Sequence, residues 1–135
     1  MLSNNHKSAK IMLMKAEQKF ASAQDDFIKK RFDSCVSNLY YSSFQVLTAY
    51  SLVKNLTFHK HTQARSFLNK DLVRTGIVPK EIAVPYNKLM DYRAKADYNY
   101  DFIFDQELTS SLLKTTKRFN QFLIELVNEE LTKSK

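Results

Sequence analysis

Glycine occurs once and proline twice in these 135 residues. Turn-rich all-β sandwiches, and doubly wound sheets with glycine phosphate loops, need far more of both and are excluded. The single cysteine, Cys35, leaves no disulfide framework and no cysteine zinc cluster, and it suits a reducing compartment. Tryptophan is absent, and so is any apolar run of the roughly 18 residues that a membrane-spanning helix needs. Met1 to Lys10 is too polar for a signal peptide. What is present is 44% hydrophobic and 26% charged residues, with ten Phe and seven Tyr to build a bulky core. The expectation is one helical domain over 1–135, cytoplasmic and without membrane contact.

The net charge of +7 is unevenly spread. Residues 1–31 hold seven Lys and Arg against three acids, a net of +4. Residues 54–95 hold nine against three, a net of +6, whereas 96–135 hold five against seven, a net of −2. The basic excess therefore lies in the body of the chain and not in a tail. Such a surface attracts polyanions, RNA among them, with an affinity that falls as salt rises. An ordinary solvated lysine-rich surface is the alternative.

Apolar spacing predicts four to five antiparallel helices. The first starts after Ser3–Asn5 and runs to about Lys29, with Ile11, Met14, Phe20 and Phe27 on its apolar stripe beside Leu13, Ala16 and Ala23. The second begins near Asp33 or Ser34, either of which can serve as N-cap. It is apolar over more than half its circumference and should be the centre of the bundle. A loop over 56–61 leads to a helix from Thr62 to about Arg74, closed by Gly76, the one glycine. Pro79 suits the first turn of the next helix, whereas Pro85, since an internal proline removes a hydrogen bond, offers a second, later start running to about Asp97. The last helix spans about Gln106 to Leu131.

Few side chains sit in a pattern that carries chemistry. His59 and His61 are too few for a metal without further ligands, so no metal site is expected. Asn55-Leu56-Thr57 is a glycosylation sequon of a kind frequent by chance. Cys35 has no evident base and reads as a small buried residue. The unusual segment runs from Asp91 to Asp101, with two cations, three acids and three tyrosines in eleven residues. Arg93 and Asp97 are i, i+4 and share a helical face. They make either a plain helix-end ion pair or a phosphate-binding guanidinium flanked by tyrosines for stacking.

The chain resembles the HEPN domains, the higher eukaryotes and prokaryotes nucleotide-binding family, in their small prokaryotic form. The carriers are Asn38-Leu39-Tyr40-Tyr41-Ser42-Ser43-Phe44, then Lys60-His61-Thr62, Thr75 to Glu81, and Arg93 to Asp101, which is similar to the form R-x-x-A-D-Y-x-Y-D. The resemblance implies an all-α bundle, commonly a homodimer with a polar cleft at its interface. Catalytic members carry R-x4-6-H as a metal-independent ribonuclease site. Here Arg93 matches the arginine, Tyr98 stands where the histidine belongs, and no histidine follows His61. Tyrosine, with a pKa near 10, is a poor base at neutral pH, so the motif is degenerate.

Three readings follow. The first is a protein that binds nucleotide or RNA through Arg93, with Asp97, Asn38, Tyr41 and His61 in the same cleft, beside a nucleotidyltransferase partner in a toxin–antitoxin-like pair. In that pairing the resemblance marks Tyr100 as a modification acceptor. The second is an active endoribonuclease toxin using Arg93 and Tyr98. The third is a structural dimerisation module whose tyrosines serve an interface. None calls for a cofactor.

Overall fold

The computed structural model describes residues 4–58, 60–98 and 101–133, and among them there is no strand. Five α-helices follow one another: α1 (Asn4–Ile28), α2 (Phe32–Val53), α3 (His61–Ser66), α4 (Lys80–Tyr98) and α5 (Gln106–Lys133). A π-helical stretch, Phe67–Val73, continues α3. The all-α expectation therefore holds.

Helix α2 is the centre, packing on α1, α3, α4 and α5. Cys35, Val36, Leu39, Tyr40, Val46, Leu47 and Ala49 on it are wholly shielded from solvent, and full burial of a Val or Leu side chain contributes roughly 1.5–3 kcal/mol. The α1 face meets expectation in part, with Leu13, Phe20 and Phe27 packed against the core. Its buried stripe is Ala9, Ala16 and Ala23, one alanine per heptad, while Ile11 and Met14 are 47% and 53% exposed. Small side chains let the α1 and α2 backbones approach closely, so the Ser42 hydroxyl donates to the Ala16 carbonyl at 2.8 Å. Asn120 of α5 completes this buried polar seam, accepting from Ser43 at 2.8 Å and donating to Ser42 at 3.0 Å.

Three turns end in left-handed residues: Lys30 (φ 60°), Asn55 (φ 60°) and Gly76 (φ 84°). At Lys30 the Arg31 amide donates to the Asp26 carbonyl at 2.8 Å, and at Asn55 the Leu56 amide donates to the Ser51 carbonyl at 2.8 Å. Both are the six-to-one bond of a Schellman turn. The α1 turn draws Arg31 back onto Asp26, its Nε donating to Oδ1 at 2.9 Å. Helix α2 accordingly starts at Phe32, with Arg31 and not Asp33 or Ser34 at the cap.

Pro85 does not delay α4, which begins at Lys80 with Pro85 inside it. The carbonyl that loses its partner belongs to Glu81, an exposed first-turn residue whose oxygen water can satisfy. Helix α5 is capped by Asp105, whose Oδ1 accepts from the Leu108 amide at 2.8 Å.

Candidate functional site

Where α2, α3 and α4 meet, six side chains converge. Tyr40, Tyr41 and Phe44 share adjoining faces of α2, His61 opens α3, and Arg93 and Asp97 lie one turn apart near the end of α4. The Arg93 guanidinium lies over two rings, its Cζ 5.2 Å from the centroid of Tyr40 and 5.8 Å from that of Tyr41. Such cation–π contacts hold the fork in a fixed plane. Its polar contacts are long: Nη1 reaches Asp97 Oδ2 at 3.4 Å and the Tyr41 hydroxyl at 3.5 Å. Its Nε is buried with no hydrogen-bond partner among the described residues.

His61 packs on the same rings. Its Nδ1 and the Tyr40 hydroxyl are 2.6 Å apart. The imidazole centroid is 4.3 Å from Phe44, 5.5 Å from Tyr40 and 6.0 Å from Tyr41. Burial, and then the positive charge of Arg93, hold the His61 pKa below its ordinary value, so the ring is neutral at pH 7. Burial pushes the Tyr40 hydroxyl up, and that of Tyr86, whose ring lies 5.7 Å from Tyr40, higher still. Both phenols stay protonated.

The remaining residues singled out in the sequence lie elsewhere. Asn38 donates to Asp26 Oδ2 at 2.9 Å and belongs to the Asp26–Arg31 contact at the α1–α2 turn. Tyr98 is 74% exposed. Five residues along an α-helix turn it by about 140° from Arg93, while four bring Asp97 back to within about 40°. Tyr100 and His59 lie outside the described residues. Cys35 is buried, and burial followed by the charge of Asp26 pushes its thiol up to about 12, which makes it a poor nucleophile. Tyr40 and Phe44 are the side chains that sequence reasoning left in the core. Their place in the Y-Y-x-x-F run, on the helix opposite Arg93, was the available signal.

The chemistry open to the cluster is that of anion recognition. A planar cation with unspent donors sits beside a neutral imidazole, and Asp97 steadies the cation from one side. Arg65, one turn after His61 on α3, is itself occupied, donating to Asn87 Oδ1 at 3.1 Å and pairing with Asp91 at 3.1 Å. Among the described residues no cluster of three or more His, Cys, Asp or Glu could hold a metal ion. No described helix is long and apolar enough to cross a membrane.

The family described as HEPN domain matches residues 9–128 of the chain. A Thermotoga maritima protein named UPF0332 protein is 29% identical over 100 residues, covering 74% of this chain and 76% of that protein. A Methanocaldococcus jannaschii protein, provisionally named a toxin, is 26% identical over 102 residues, covering 76% of this chain and 69% of that one.

Proposed function

The chain belongs to the HEPN domain family, and on that premise we propose that it binds the phosphate of a nucleotide or an RNA through Arg93, acting with a nucleotidyltransferase partner. The observation that carries the reading is the state of Arg93: fixed on two tyrosine rings, with long polar contacts and an unpartnered Nε. A guanidinium with a purely structural duty spends its donors on close partners, as Arg31 does on Asp26 at 2.9 Å. Tyr41, Asp97 and His61 line the same cleft, and Asn38 stands one turn before Tyr41 with its amide directed to Asp26. The ribonuclease motif is degenerate, with Tyr98 in place of histidine. A homodimer would bring two such clefts together, and Tyr100 would be the residue that the partner enzyme modifies.

The test is binding of a fluorescent single-stranded RNA and of AMP, by anisotropy and calorimetry, at two salt concentrations. Saturable binding that weakens with salt and is lost in Arg93→Ala supports the reading. Equal affinity in that variant removes the site from it.

The provisional toxin name of the archaeal relative favours a second reading, in which the chain cleaves RNA without metal through Arg93 and Tyr98. Incubation of mixed RNA with the protein in EDTA decides this. Cleavage lost in Arg93→Ala supports it, and intact RNA rejects it.

A further inference from the structure

Arg93 and His61 lie against the same two aromatic rings, Tyr40 and Tyr41, yet come from different helices. The tyrosine at position 98 is exposed and turned to another side of α4. An imidazole is thus present in the cleft although the linear motif lacks one. We propose that His61, supplied by α3, is the second phosphate-binding group of the site, and that its Nε2–H and the Arg93 fork together take one phosphate of the ligand. This rests on the reading of Arg93 given above.

The proposed arrangement uses one of the two neutral tautomers of His61. Tyr40 keeps its proton, because burial disfavours the phenolate. Its hydroxyl is 2.6 Å from Nδ1, where it can donate or accept; in the proposed arrangement it donates, and the neutral imidazole carries its proton on Nε2. Nε2 has no hydrogen-bond partner among the described residues and is not sealed from solvent. His61 therefore offers the cleft a donor, in an orientation fixed by Tyr40 and by the Phe44 ring 4.3 Å away. Tyr40 is a positioning residue in this scheme.

The charges around the imidazole make binding and protonation depend on each other. From α4 it faces Arg93, whose own partner is Asp97. From α2 it faces the hydroxyl of Tyr40 and the ring of Tyr41. Arg65 stands one turn on along α3. In the empty cleft Arg93 opposes a second positive charge on His61. A bound phosphate offsets Arg93 and accepts from Nε2, so His61 should take up a proton more readily when the cleft is filled. By linkage, His61 should then favour AMP binding as pH falls from about 7.5 toward 6, against the second protonation of the AMP phosphate, which is common to every variant.

The experiment uses the full chain with 15N-labelled histidine, and AMP as the probe. In the free protein His61 should show the Nε2-protonated tautomer. Titration with AMP should move the Nε2 resonance and raise the His61 pKa, and neither change should occur in Arg93→Ala. His61→Leu should weaken AMP binding by about tenfold, the cost of one charge-assisted hydrogen bond. His61→Gln, whose amide can donate from a similar position, should retain most of the affinity but lose the part of the pH dependence that His61 supplies. Tyr40→Phe should leave the fold intact and mix the two tautomers. Unchanged affinity in His61→Leu with a stationary Nε2 resonance overturns the proposal and leaves Arg93 as the lone anchor. Absence of AMP binding by the unsubstituted chain overturns both.

Discussion

Replacing Arg93 by methionine separates a binding residue from a structural one. Methionine keeps an unbranched stem on the same aromatic rings and removes the charge and all five donors. The ion pair to Asp97 is an i, i+4 contact at 3.4 Å with side chains 17% and 32% exposed, and losing it costs about 0.5 kcal/mol. Two cation–π contacts at 5.2 and 5.8 Å add roughly 1–2 kcal/mol to that loss. On the other side, the thioether regains about 0.3–1.5 kcal/mol against Tyr40 and Tyr41. Removing the unpartnered buried Nε relieves roughly 1–3 kcal/mol of desolvation. The opposing effects nearly cancel, so Arg93→Met should unfold in urea within about 1 kcal/mol of the parent chain. For a chain of this length that is a shift of about 3–4 °C in Tm. Far-UV circular dichroism across a urea series measures it. A loss above about 2 kcal/mol would refute the reasoning, since Arg93 would then hold α4 to α2 and its conformation would need no ligand to explain it.

Two other perturbations test neighbouring parts of the structure. His61 has its pKa lowered in the folded chain, so the unfolded chain takes up a proton first as the pH falls below about 6.5. Its contribution to stability is thus complete above that value and declines on acidification through the folded pKa; urea unfolding between about pH 7 and 5.5 should show that slope, and His61→Gln should flatten it. Equal slopes in both proteins would mean the imidazole is not held neutral by its surroundings. Lys30 adopts φ 60° at the end of α1, a conformation that suits glycine, so Lys30→Gly should raise the unfolding free energy by about 0.5–1 kcal/mol. A lower Tm in that variant would mean the Schellman turn does not set the cost of this position.

The fold was legible where periodicity and burial agree. Helix α2 is apolar nearly all round because it packs on four neighbours, and its sequence says so directly. Helix α1 misled because hydropathy ranks Ile11 and Met14 above alanine. What decides its fully buried apolar positions is how near the α2 backbone can come, and Ala9, Ala16 and Ala23 leave room there, with Phe20 and Phe27 packing at the side. Of the three left-handed helix ends, Gly76 was visible from its residue type. Lys30 and Asn55 were not, because their conformation comes from bonds such as Arg31 N–H to the Asp26 carbonyl, which the turn as a whole imposes. Pro79 and Pro85 leave two starts for α4 open in the sequence, since the local rule against internal proline cannot see that the freed carbonyl lies on the surface.

The cleft shows a different division. A linear motif measures distance along one chain segment, and by that measure Tyr98 is the neighbour that counts for Arg93. A helix measures it by angle, and there Asp97 shares the side of Arg93 while Tyr98 turns away. The contacts that define the cleft cross between elements: Tyr40 to His61 spans 21 positions and Arg93 to Tyr41 spans 52. No spacing rule within one segment could pair them. Composition did point the right way, because bulky aromatics on the central helix are what a cation from α4 and an imidazole from α3 can both rest on. The same three rings that fill the core edge therefore orient the polar groups. A substitution such as Tyr40→Phe keeps the ring on which Arg93 lies and removes the hydroxyl 2.6 Å from His61 Nδ1.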